Sequence, residues 1–143
     1  MQIISKIYHR QITHNCFGAR VMLLTNDRDE LMRQRLVEYG CSVDTDSEVY
    51  NALAAIIDDP FGYDLFVMEC DSFGGIEAAE RAIATLIAAD AKMRVMLVSR
   101  EFDVPAYPLG RRTAVCLPAA ASETTFRIGF EHVLRDRLTL HMS

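Results

Sequence analysis

The 143-residue chain has no tryptophan, only four cysteines and four prolines, and no run of about 18 uninterrupted apolar residues. Without such a run, no helical membrane span is expected. Cys16, Cys41, Cys70 and Cys116 are scattered without a CxxC pair. They therefore read as small core residues of a cytoplasmic protein, not as metal ligands or a disulfide framework. No stretch joins a basic segment to an apolar one and a cleavage site, so no leader is expected. Positive charge is also short. Fifteen Lys and Arg face 20 Asp and Glu, for a net charge of −5, and such a field repels phosphate backbones, so no nucleic-acid partner is expected. The arginines that do cluster, Arg111 with Arg112 and Arg127 with Arg135 and Arg137, read as solvated faces, the latter group interleaved with Glu131 and Asp136.

Half the residues are hydrophobic and 24% are charged, the composition of one folded domain able to bury a core. Short apolar runs alternate with helix-type periodicity, the mark of βα units around a parallel sheet. Arg20–Thr25 (RVMLLT), Cys41–Val43, Asp64–Glu69 (DLFVME), Arg94–Ser99 (RVMLVS) and Thr113–Leu117 (TAVCL) read as strands. A first helix is predicted after a cap at Asn26 or Asp27, ending at Gly40. A second is capped by Ser47 and buries Val49, Leu53, Ile56 and Ile57. An Ala-rich third spans Ile76 to Ala89, after a loop whose Gly74 and Gly75 permit unusual backbone angles. The last covers Ser122 to Arg137, where Phe126, Phe130, Val133, Leu134 and Leu138 form an apolar stripe that the sheet or a partner must cover. Between the fourth and fifth strands, Pro105 and Pro108 disfavour a regular helix. Residues 1–18 lie outside the scheme; Ile3, Ile4, Ile7, Tyr8 and Ile12 recur as on one helix face, and the segment reads as a helix or an extended arm.

In this order the runs RVMLLTNDRDEL, YDLFVME, VMLVS and CLP resemble the receiver domains of two-component response regulators, over about residues 19–138. The resemblance implies a doubly wound α/β fold: a five-stranded parallel sheet in the flavodoxin-like, CheY-like order 2-1-3-4-5, here with an irregular or shortened fourth helix. Residues 139–143 are expected to be a C-terminal tail. It also implies a site at the carboxyl ends of the strands, where an Asp nucleophile, Mg²⁺-holding acids, a hydroxyl and a Lys carry phosphoryl transfer. Position by position this chain departs from that set. Glu69 stands where the phosphoacceptor would be, one methylene too long. Thr25 and Asn26 stand at the acidic pair, Leu117 at the Lys, and Ala114 at the aromatic switch position. Ser99 alone matches. Asp27 and Glu69 are the carboxylates left for a metal, too few for firm Mg²⁺ binding.

The expectation is therefore a degenerate receiver: a non-catalytic protein-binding module with no cofactor. Its partner would be a histidine kinase, another regulator or a transcription factor, and it is a candidate homodimer through the face that carries Phe126, Phe130, Val133 and Leu134. A second reading retains phosphotransfer to Glu69 or to Asp71, the latter otherwise a turn residue. A third is a flavodoxin-like small-molecule binder, against which Thr25–Arg28 offers no glycine-rich phosphate loop.

Overall fold

In the computed structural model the described residues are 18–26, 30–108 and 114–142, with side chains described through 134. Residues 1–17, Asp27, Thr113 and the Arg111–Arg112 pair lie outside them. Strands β1 (Arg20–Leu24), β2 (Ser42–Asp46), β3 (Leu65–Glu69), β4 (Arg94–Ser99) and β5 (Val115–Pro118) form one parallel sheet in the order β2-β1-β3-β4-β5. This is the expected topology.

Helices α1 (Leu31–Glu38) and α4 (Glu123–Met142) cover one face of the sheet; α2 (Val49–Asp58) and α3 (Gly75–Ala88) cover the other. The strands are apolar on both sides because both sides are buried. Val21, Leu23, Leu65, Val67, Met96 and Val98 pack with Leu36, Tyr39, Phe126 and Phe130. Met22, Leu24, Phe66, Met68 and Leu97 alternate with them and pack with Leu53, Ile56, Ala79 and Leu86. Tyr39 stacks on Phe130 with ring centroids 5.0 Å apart, and its hydroxyl donates to Glu123 Oε1 at 2.9 Å. α4 approaches β5 closely at Gly129, where a Cβ would meet the Leu117 side chain at 3.2 Å.

Several local expectations change. The cap of α2 is Glu48, whose carboxylate accepts from the amides of Tyr50 and Asn51, in place of Ser47. Ile57 is 37% exposed, because it sits about 100° around the helix from buried Ile56. α1 begins after Glu30 with no side-chain cap, so Asn26 does not cap it. α4 continues through residues 139–142 of the expected tail.

The proline-containing segment forms no helix among its described residues. It turns at Arg100–Glu101 and bends at Asp103–Val104, and Ala106 then pairs with Cys116 through Ala106 N to Cys116 O at 2.8 Å and the reverse bond at 3.0 Å. The edge strand β5 is thereby paired on its outer side at Cys116, its second residue. His132 Nε2 and the Pro108 carbonyl oxygen, 2.9 Å apart, tie the same segment to α4. Among the described residues no helix is long and apolar enough to cross a membrane.

Phe126, Phe130, Val133 and Leu134 are each at most 4% exposed. They are the chain's own core and unavailable to a partner, which corrects their reading as an interface. The sheet, together with Tyr39, covers the stripe. Phe130→Ala is expected to lower the urea-unfolding free energy by about 3–5 kcal/mol. A weakened association at unchanged stability would instead return this residue to an interface.

Candidate functional site

In a parallel sheet covered on both faces, polar side chains collect at the strand ends, and here they meet at the carboxyl ends of β1, β3 and β4. Thr25 is 3% exposed and Ser99 fully buried, so each hydroxyl needs a partner. Thr25 Oγ1 donates to Glu69 Oε2 at 2.8 Å. The other oxygen, Oε1, accepts from Ser72 Oγ at 3.0 Å, and Ser72 Oγ in turn accepts from Asn26 Nδ2 at 3.0 Å. The two positions that the receiver resemblance gives to metal-holding acids thus carry neutral groups. One of them binds the Glu69 carboxylate directly and the other through Ser72.

A second carboxylate closes the neighbouring edge. Cys70–Phe73 forms a 3₁₀ turn after β3, and it carries Asp71 across to β4. Ser99 Oγ donates to Asp71 Oδ1 at 2.7 Å, and the Arg100 amide donates to Oδ2 at 2.9 Å. Arg100 Nε lies 3.3 Å from the same oxygen. Ser99 Oγ also accepts from the Glu101 amide at 3.1 Å. Burial pushes the Asp71 carboxyl up, but the Ser99 hydroxyl, the Arg100 amide and the Arg100 charge together outweigh it and hold it below the usual range. The turn ends at Gly74 and Gly75, with φ of 108° and 79°. There the Ile76 amide, at the start of α3, donates to Glu101 Oε2 at 3.3 Å.

The positions named from the sequence separate into two groups. Thr25, Asn26, Glu69 and Ser99 come together at this edge with Asp71. Leu117 does not: it is fully buried among the residues packed against α1 and α4, below Gly129. Ala114 is half-buried against the opposite cluster, and its methyl group has no ring to rotate. Asp27 lies outside the described residues, so its pairing with Glu69 around a metal is not part of this geometry. Among the described residues no three His, Cys, Asp or Glu side chains are grouped to hold a metal ion.

Asp71 is more than a turn residue, since it joins β3 to β4 through Ser99. Ser72, Arg100 and Glu101 also belong to the site and were not singled out from the sequence. The one available signal was the polar run Ser99-Arg100-Glu101 directly after an apolar strand. Cys70, beside Asp71, is no alternative nucleophile: burial, with the Asp71 charge adding, pushes its thiol up to about 12.

No family model and no curated protein matches the chain. Solved structures do. The receiver domain of the hybrid histidine kinase CckA superposes with a TM-score of 0.63 at 15% identity, covering 81% of this chain and 99% of that one. The N-terminal domain of a response regulator/sensory box/GGDEF 3-domain protein from Carboxydothermus hydrogenoformans gives 0.65 at 16%, covering 84% and 97%. Chemotaxis protein CheY4 of Vibrio cholerae gives 0.62 at 14%, covering 81% and 98%. At these identities what is shared is the fold, and the chain has the CheY-like receiver fold.

Because the folded Asp71 carboxyl lies below its ordinary value of about 3.9, its stabilisation is present above that pH. It is lost as pH falls through the lower folded value. Asp71→Asn is therefore expected to destabilise the protein at pH 7 and to cost progressively less below about pH 4. Urea unfolding across pH checks this, and a cost that does not change with pH would contradict it.

Proposed function

We propose that this chain is a receiver-like module that works by binding another protein and is not switched by phosphorylation. The observation that carries this reading is the closure of the strand-edge site on itself. A nucleophilic carboxylate must bring an oxygen lone pair in line with the phosphoryl donor, and each hydrogen bond that oxygen already accepts lowers its nucleophilicity and restrains its movement. Both oxygens of Glu69 accept hydrogen bonds from Thr25 and Ser72, and both oxygens of Asp71 accept from Ser99 and Arg100. An acyl phosphate at either position would take up one oxygen and remove the negative charge that strengthens the hydrogen bonds this carboxylate accepts.

The charge balance points the same way. A phosphoryl group brings up to about two negative charges, and a working site meets them with Mg²⁺ and a lysine. Here the lysine position is an apolar core residue, Leu117. The one cation the described residues bring to this edge, Arg100, is 84% exposed and already paired with Asp71. Thr25 and Asn26 supply hydroxyl and amide groups where two carboxylates would grip the metal. Hydroxyl and amide dipoles take the place of the metal in balancing Glu69.

A module of this kind acts through surface recognition by a protein partner, of the class that includes kinases, regulators and transcription factors. On the face where receiver folds carry a helix between β4 and β5, the described residues here form an irregular segment bonded to β5 through Ala106. A partner that reads a helix at that place would find none among the described residues.

Intact-mass measurement after incubation with Mg²⁺ and acetyl phosphate is expected to show no phosphoryl adduct on the native chain. Glu69→Asp is expected to stay unmodified too, because shortening one side chain restores neither the acidic pair nor the cation. An adduct on the native chain that Glu69→Gln or Asp71→Asn removes would make this a working phosphoacceptor.

A further inference from the structure

We propose that the outer face of α2, with the turn after it, docks a basic amphipathic helix of a partner protein. This rests on the reading of the chain as a protein-binding module, to which it adds the surface and the chemistry of the partner, and is independent of the strand-edge site. A helix lying on a sheet ordinarily turns polar residues to solvent. In α2, Tyr50, Ala54 and Ile57 recur along the outer side at spacings of four and three, and Phe61 follows in the turn just beyond its end. Tyr50 is 80% exposed, Ile57 37% and Phe61 89%. Apolar side chains gathered on one helix side mark an interaction site, whereas the same residues scattered singly would not.

The charge around the stripe selects its partner. Residues 41–80, which build β2, α2, β3 and the start of α3, contain ten Asp and Glu and no Lys, Arg or His. Asp46 and Glu48 stand at the start of the stripe, and Asp58 and Asp59 at its end. Arg20 reaches in to meet Asp44 at 3.1 Å and Asp59 at 3.0 Å, and Arg100 meets Asp71 at 3.3 Å. With two cations paired into ten carboxylates, the stretch stays negative.

An apolar stripe set in a negative field is unsuited to nucleic acid or to an anionic lipid surface, whose charge has the same sign. It is equally unsuited to a second copy paired through the same face, because a two-fold contact would set the acids of each α2 against those of the other.

A helix with apolar side chains along one side and Lys or Arg beside them meets both features. From Tyr50 to Ile57 the stripe rises about 10 Å, and Ala54 between them leaves a dip in the ridge where a side chain of a crossing helix fits. The partner's apolar side would cover Tyr50, Ile57 and Phe61, and its cations would face Glu48 at one end and Asp58 at the other. The charges steer encounter and fix orientation, while the covered rings supply most of the affinity.

Panning the full chain against a phage-displayed library of random peptides of about 16 residues, some four helical turns, tests this. Retained peptides are expected to be net basic with apolar residues at spacings of three and four, and synthetic copies to shift the amides between residues 50 and 61 saturably in ¹H–¹⁵N spectra. Tyr50→Ser/Phe61→Ser is expected to weaken their binding at least ~10-fold while the amides of β1, β3 and β4 keep their positions, which shows the variant folded. Asp58→Lys is expected to weaken it too, by a factor that shrinks at high salt. Retained peptides that are acidic or uncharged, or that bind the double variant as tightly, would overturn the proposal and leave a protein-binding module whose surface lies elsewhere. A library from which nothing is retained would overturn the protein-binding reading along with it. Self-association of the native chain in sedimentation velocity that the double variant abolishes would assign the stripe to a second copy and overturn the proposal alone.

Discussion

Ser99 is fully buried at the end of β4, and its hydroxyl has to be hydrogen-bonded in place because water does not reach it. Asp71 meets that need, and the consequences extend across the sheet edge. Holding Asp71 over β4 fixes the 3₁₀ turn after β3. The turn places Ser72 beside Glu69, and Ser72 and Thr25 each donate to one oxygen of the Glu69 carboxylate. Three strand ends are thus joined by hydrogen bonds among uncharged donors and two carboxylates, with Arg100 supplying the only cation at this edge among the described residues. Thr25 and Ser99 are the buried members of this network, while Asn26, Ser72 and Arg100 lie at its exposed rim.

A receiver fold built this way differs from a switch in a physical sense. Switching needs a group whose charge or bonding changes and an element with two arrangements for it to bias. Here the hydroxyl at the end of β4 already has an acidic partner, the residue at the aromatic position is Ala114, and the segment between β4 and β5 is pinned through Ala106 to the sheet edge and through Pro108 to α4. Each of these removes a degree of freedom. On the proposed reading, these contacts favour one arrangement of the sheet edge, as suits a module recognised by shape.

The fold was legible in the sequence because both faces of the sheet are buried, which turns strands into continuous apolar runs, and because Gly40 and Gly74 punctuate the helices. The break in regular structure after β4 followed from Pro105 and Pro108, but its antiparallel pairing with Cys116 did not, since long-range pairing leaves no local signature. The last helix was read correctly as an apolar stripe needing cover. The sequence could not say that the cover is Tyr39 and the sheet, so Phe126, Phe130, Val133 and Leu134 were assigned to an interface they do not form. At the site, Thr25, Asn26, Glu69 and Ser99 were named through the receiver resemblance, and the structure brings them to one sheet edge. Asp71 was missed as a partner of Ser99 because the two are 28 positions apart in the chain, and only the 3₁₀ turn brings them together. Ile57 was misread for a local reason, since it follows buried Ile56 by about 100° around the helix and so turns toward solvent.

The central claim is that the strand-edge site is closed and does not accept a phosphoryl group. The most direct measurement is an amide ¹H–¹⁵N titration of the native chain with Mg²⁺ and beryllium fluoride, which mimics an acyl phosphate. No saturable shift is expected at residues 25, 69, 71, 99 and 100. Saturable shifts centred on those amides, with further changes reaching β5, would contradict it and show an open, responsive receiver site.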